Sequence, residues 1–232
     1  MRLTRNNRTI LILLGLIGIT TISCVPPVYH TAEVKPGTSF SVGGGYLDYN
    51  YYFPQGLDGG TALEAASGYR LDMVFRYSGG KRFIEMGHPA KTWEHLAIVA
   101  QAGAMVTEGE GARGFFDLPG DSSKKVLPWL ETALQYEVLE NPSISIQAGL
   151  FFFYDATVTF LVGIPIKNRE IATVGFKTQW LYIPASFFIT LHPIKRLHLY
   201  VQTNLTTLLT DEWELQAGVG FDIVNTYGKE KQ

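Results

Sequence analysis

From residue 38 onward, apolar residues alternate with polar or small ones along most of the chain. A period of two marks a β-strand with two unlike faces, because successive side chains point to opposite sides. In the stretch 69–77, Tyr69, Leu71, Met73, Phe75 and Tyr77 share one face, and Arg70, Asp72, Val74 and Arg76 share the other. Leu130, Thr132, Leu134, Tyr136 and Val138 oppose Glu131, Ala133, Gln135 and Glu137. Ile144, Ile146, Ala148, Leu150 and Phe152 oppose Ser143, Ser145, Gln147 and Gly149. Near the C-terminus, Trp213, Leu215, Ala217, Val219, Phe221 and Ile223 oppose Glu212, Glu214, Gln216, Gly218, Gly220 and Asp222.

The pattern predicts ten strands, near 38–52, 68–78, 95–107, 128–139, 143–153, 156–166, 171–182, 184–192, 197–207 and 212–223. Breaks at Asp155 and at Ile183-Pro184 keep the strands near their usual length. If both breaks were bulges, the count would be eight. Before the second break the apolar face is even-numbered (Val174, Phe176, Trp180, Tyr182); after it the face is odd-numbered (Phe187, Ile189, Leu191). Such a flip requires a turn or a bulge. Glu140-Asn141-Pro142, Lys167-Asn168-Arg169 and Pro193-Ile194-Lys195 read as short turns, and 53–67, 79–94 and 108–127 as long loops. No region alternates strands with helices, which argues against a parallel α/β sheet.

Alternation defines two faces but not which one is wet. A soluble barrel or sandwich turns its apolar face inward, and a membrane barrel turns it outward around a polar lumen. Three features favour the second. The polar faces mix Gly with Arg, Glu, Gln and Asp, and only 17% of residues are charged. Tyr69 and Tyr77 are eight residues apart, as are Trp213 and Phe221; that spacing covers about 26 Å along a strand and fits an apolar band between aromatic girdles. Several segments also have the length of about ten residues that a tilted strand needs to cross a bilayer. Hydrocarbon cannot satisfy backbone N–H and C=O groups, so a chain without a spanning helix enters a membrane only as a closed barrel.

The expectation is therefore all-β: an antiparallel, up-and-down transmembrane β-barrel of about 8–10 strands over 38–224, with a C-terminal tail at 225–232. Arg70, Asp72, Arg76, Glu131, Gln135, Glu137, Glu212 and Glu214 are expected to form a polar network in the lumen, since the arginines need carboxylate partners there. Tyr69, Tyr77, Trp213 and Phe221 are the expected girdle aromatics. These segments resemble the small outer-membrane β-barrels of Gram-negative-type bacteria. The resemblance implies that the barrel is a scaffold and that its outward loops carry function. The chain departs from that class at its end, Gly228-Lys229-Glu230-Lys231-Gln232, where an aromatic recognition residue usually stands.

Residues 1–23 read as a signal peptide. Arg2, Arg5 and Arg8 precede the apolar run Ile10–Ile19, which is too short to span a bilayer comfortably. Thr21-Ile22-Ser23-Cys24 follows and resembles the lipobox of bacterial lipoproteins, with Thr21 where Leu is usual. The resemblance implies that Cys24, the only cysteine, becomes the lipidated N-terminus. Val25 after it is compatible with transfer to the outer membrane. Residues 24–37 then hold the lipidated Cys and a short tether containing Pro26, Pro27 and Pro36. With the tether and both chain ends periplasmic, loops 53–67 and 108–127 face outward, and 79–94 faces inward.

Composition removes other classes. One cysteine excludes a disulfide framework and a Cys-rich zinc site. A net charge of −2 leaves no basic footprint for nucleic acid. Gly109-Glu110-Gly111-Ala112-Arg113-Gly114 matches a nucleotide-binding pattern literally, but Phe115-Phe116-Asp117-Leu118-Pro119-Gly120 cannot open the helix that pattern requires. Gly43-Gly44-Gly45 reads as a strand kink or a place for small side chains. His30, His88, His95, His192 and His198 show no metal-ligand spacing. No catalytic residue and no cofactor is expected. The acidic loop of Glu108, Glu110, Asp117 and Asp121 reads as a solvated surface.

The sequence reading is a lipid-anchored outer-membrane barrel with a structural or surface-interaction role, possible small-solute passage, and outer-membrane lipid plus an unidentified loop partner as its contacts. Two alternatives use the same residues. One is a lipid-tethered soluble barrel binding an apolar ligand, although the Gly-x-Trp signature of lipocalins is absent. The other is a lipid-modifying membrane enzyme drawing on Ser67, Ser186 or the histidines.

Overall fold

Strands with one apolar face leave half their backbone groups open until a neighbour pairs with them, and only closure removes every edge. The computed structural model describes residues 26–55, 60–79, 95–110, 112, 114–151, 155–167, 169–179, 182–204 and 213–226. Its strands are β1 (Gly37–Gln55), β2 (Gly60–Ser78), β3 (Leu96–Glu108), β4 (Phe116–Leu118), β5 (Asp121–Glu140), β6 (Ser143–Phe151), β7 (Asp155–Ile166), β8 (Arg169–Gln179), β9 (Tyr182–Ile194), β10 (Leu197–Asn204) and β11 (Trp213–Asn225). All but β4 form the wall. Each wall strand pairs antiparallel with its neighbours in sequence, β3 pairs with β5, and β1 pairs with β11. The result is a closed ten-stranded up-and-down barrel. β4 is a short hairpin strand on the start of β5.

The breaks expected near Asp155 and Ile183-Pro184 are strand ends, so the wall has ten strands and not eight. β6 stops at Phe151, before the expected 153, and β8 stops at Gln179, before the expected 182. Residues 152–154, 180–181 and 205–212, including the expected luminal Glu212, lie outside the described residues. So do loop 80–94 with His88, the terminal residues 227–232, and residues 1–25 with Cys24.

The loop expected at 53–67 is largely strand. β1 and β2 stay paired up to Gln55↔Gly60. Likewise the end of the expected loop 108–127 belongs to β5, and Glu108 pairs with Lys124. Residues 59–67 (GGTALEAAS) and 121–125 (DSSKK) carry little apolar contrast, so the period of two has nothing to display there. These extensions form the upper end of the barrel. The lower end carries Gly37, Ser78, Asn225 and the tight turns at Asn141-Pro142 and Lys195-Arg196.

The faces have the orientation of a membrane barrel. Arg70 is 4% exposed and Asp72 2%, while Tyr69 and Leu71 between and beside them are 70% and 74% exposed. Met73, Phe75, Leu134, Tyr136, Ile146, Leu150, Ile189, Leu191, Val219 and Phe221 also face out. Tyr77 and Trp213 are half-buried on the outer side of their strands. Tyr46 meets Tyr69 edge-on at 5.6 Å, and Phe160 stacks on Phe176 at the same spacing. The soluble alternative needs the reverse arrangement.

Candidate functional site: the occupied lumen

An eight-stranded barrel is filled by its own inward side chains, and diameter grows with strand number. Ten strands enclose more space, and this chain fills the lower part with its own residues 26–36. They run upward from Gly37 inside the wall as a strap that bends at His30, Ala32, Glu33 and Pro36. Val28, Tyr29, Ala32 and Val34 are buried. The tether expected over 24–37 is, in its described part, a luminal segment. Its composition conceals this, because a segment held by a wall needs no period of its own.

The wall holds the strap mainly by its backbone. Ala32 N–H and Glu33 N–H donate to the two carboxylate oxygens of Glu170 at 2.8 and 3.0 Å. Val34 N–H donates to Glu137 at 3.2 Å. Gln135 Nε2 donates to the carbonyls of Thr31 and Ala32 at 3.2 and 3.0 Å, and the Ser145 hydroxyl donates to the Ala32 carbonyl. Thr190 donates to the Val28 carbonyl at 2.5 Å. Arg76 reaches the Glu33 carbonyl at 2.7 Å and the Thr31 hydroxyl at 3.1 Å. His30 Nε2 bonds Gln147 at 2.8 Å. Buried backbone groups that lack strand pairing need such partners.

One strap side chain sits in a recess. Tyr29 donates to Asp72 at 2.7 Å and meets Tyr200 edge-on at 5.0 Å. Its ring lies against Gly43 and Gly220, which face each other across β1 and β11. A Cβ on Gly43 would come within 2.6 Å of the Tyr29 hydroxyl oxygen, and one on Gly220 within 2.6 Å of the ring. Gly43, and Gly45 beside the Tyr200 hydroxyl, are therefore places where side chains must be small.

Above the strap lies a layer of buried charge. Arg70 pairs with Asp72 at 3.1 Å, bonds Gln216 and the Tyr200 hydroxyl, and sits 5.3 Å over the Tyr200 ring. Gln216 also donates to Glu214. Glu131 takes the ammonium of Lys177 and the Thr157 hydroxyl at 2.7 Å. The lumen thus contains Arg70, Asp72, Arg76, Glu131, Gln135, Glu137 and Glu214, but not as the expected arginine–glutamate set. Arg70 turns to its own-strand neighbour Asp72, and Arg76 turns to the strap. Lys177 went unnoticed, although the even-numbered apolar face of 174–182 placed it inward.

Higher still, the same inward parity becomes apolar. Leu47, Tyr49, Ala66, Met105, Leu127, Trp129 and Phe151 form one buried cluster. Buried polar groups persist beside it: Glu214 pairs with Tyr49 across the sheet, and Thr107 is fully buried.

Near the lower end, a line of hydrogen bonds crosses from wall to strap. Asp222 bonds His198 Nε2 at 2.9 Å, and His198 Nδ1 meets His192 Nδ1 at 2.7 Å. His192 Nε2 meets Thr173 Oγ1 at 2.8 Å, and Thr173 donates to Glu170 at 2.6 Å. The line joins Asp222 to the carboxylate that clamps the strap. The Thr173 hydroxyl is fully buried, so it presents no nucleophile to a substrate while the strap is seated. His95 sits at the rim, 3.5 Å from both Glu137 and Glu140. Among the described residues no cluster of three or more His, Cys, Asp or Glu could hold a metal.

The upper hairpin is polar. Ser123 donates to Asp121 through its hydroxyl at 2.5 Å and its N–H at 3.1 Å, which holds that carboxyl below its ordinary range. Glu108 and then Asp121 raise Lys124. Lys125 pairs with Asp117. Gly109 and Gly114 lead into strand β4, so no helix N-terminus follows them. Phe115 and Phe116 are exposed beside each other at 6.4 Å.

No family model and no curated protein matches the chain. Among solved structures it is similar to a KdgM porin in complex with disordered oligogalacturonate. The identity is 10%, over 81% of this chain and 100% of that one, with a TM-score of 0.33.

Proposed function

We propose that this protein is an outer-membrane β-barrel with a structural or surface-interaction role, its lower end periplasmic and its upper hairpins outside. The outward apolar belt with its charged, buried lumen carries this reading. Hydrocarbon is the solvent in which Leu71 and Phe75 are stable at such exposure, and closure satisfies the backbone there. The surface available to a partner is the upper rim, where Asp117, Lys125 and the Phe115–Phe116 pair project. Cys24 is the proposed lipid attachment point, on the strength of the arginines, apolar run and Thr-Ile-Ser-Cys sequence before it.

The test is a charge on the belt. Leu71→Lys should cost about 2–4 kcal/mol near the bilayer midplane and lower the fraction folding into vesicles, read by heat-modifiable gel mobility. The same change in a soluble barrel would sit harmlessly in water. Recovery of a folded, soluble wild-type monomer without detergent or lipid would overturn the reading.

A further inference from the structure

The lower lumen recognises peptide backbone. The wall supplies acceptors, Glu170 and Glu137, to three successive N–H groups of residues 32–34. It supplies donors, Thr190, Gln135, Ser145 and Arg76, to the carbonyls of residues 28, 31, 32 and 33. None of these contacts depends on the strap's side chains. Three strap side chains also meet the wall: His30 bonds Gln147, Thr31 accepts from Arg76, and Tyr29 has a glycine recess for its ring and a buried carboxylate for its hydroxyl. Backbone contacts giving affinity and side-chain pockets giving selectivity are a division of labour used in peptide recognition. The wall donors and acceptors belong to β2, β5, β6, β8 and β9, so the site is complete only when the barrel is closed.

We propose that the lower lumen is a binding site for a peptide bearing an aromatic hydroxyl, and that residues 26–36 are its intramolecular ligand. The binding claim concerns the barrel alone and does not depend on the membrane reading above. A strap joined to the wall at Gly37 competes as a ligand at an effective concentration of order millimolar. A free peptide of the same sequence displaces it only near that concentration.

The experiment uses the full chain with Cys24→Ser and Ala32→Cys, so that the only thiol lies on the buried strap. Its maleimide labelling should be slow. A synthetic peptide of residues 26–36 at millimolar concentration should accelerate it by about tenfold or more, and the same peptide with Tyr29→Ala should not. Labelling unaffected by the wild-type peptide, in a barrel with normal heat-modifiable mobility, overturns the binding claim.

Discussion

Gly220→Ala separates a strap that belongs in the lumen from one that merely lies there. Gly in a strand costs about 0.5–1 kcal/mol relative to Ala, so in an empty barrel this substitution stabilises. With the strap seated the sign reverses. The new methyl would lie 2.6 Å from Tyr29 Cδ1, with Cε1 and Cγ next at 2.9 and 3.1 Å. Carbon atoms need about 3.5–4.0 Å, so the ring must retreat by about 1 Å. That movement breaks the 2.7 Å bond to Asp72, worth about 2 kcal/mol to a charged acceptor. It also loosens the edge contact with Tyr200, worth about 1 kcal/mol. The sum, about 3 kcal/mol, lowers the seated-to-withdrawn ratio about 100-fold. Labelling of the Ala32→Cys thiol should accelerate by that factor, while thermal unfolding of the barrel moves little. A labelling rate within twofold of the parent would refute the reasoning, because nothing else stands nearer to that Cβ.

Lys177→Met leaves Glu131 buried without its ammonium and should cost about 3–5 kcal/mol, read as a lower urea midpoint; Lys177→Met with Glu131→Leu should restore most of it. An unchanged midpoint in the single variant would mean that water reaches Glu131. In the upper hairpin, the hydrogen bonds to Asp121 lower its folded pKa. Their contribution is therefore present above the unfolded carboxylate value of about 3.9 and is lost as pH falls through the lower folded value. Ser123→Ala should bring the Asp121 titration, followed by carboxyl NMR, back toward the ordinary range, and no movement would refute the assignment.

The wall was legible because the solvent on its two sides differs. Within the belt, Tyr69 to Tyr77 must alternate, and the same contrast located the breaks near Asp155 and Pro184. Above the belt both faces meet polar surroundings or a mixed interior, so the contrast vanished and 60–67 and 121–127 looked like loops. Arg70, Asp72 and Glu131 could be placed inside from parity, but their partners could not. Pairing across a barrel is set by register and shear, which a one-dimensional pattern does not carry. The strap was illegible for a different reason. Its recognition is written in the wall, in Gly43, Gly220, Glu170 and Gln135, and these residues have ordinary readings until something is seen against them.

The seated strap also constrains any lipid on Cys24. Pro26 is buried in the lumen, and two residues reach about 7 Å at full extension. An acyl chain on residue 24 therefore cannot lie in the leaflet beside the lower rim while the strap is seated. Withdrawn, the thirteen residues from 24 to 36 extend about 43 Å from Gly37, which is ample for that leaflet. The contest between the two states is unequal. Each buried CH2 of an acyl chain contributes about 0.8 kcal/mol, so a pair of chains outweighs the Tyr29 contacts and the backbone clamp together. Lipidation should thus draw the strap out and vacate the peptide site. Lipidated Ala32→Cys protein, its acylation established by intact mass, should label at its strap thiol at the rate of an exposed cysteine. The Cys24→Ser counterpart should label at least tenfold more slowly. Equal protection in the two proteins would show that lipid and strap coexist, and that the N-terminus leaves the barrel by its upper end.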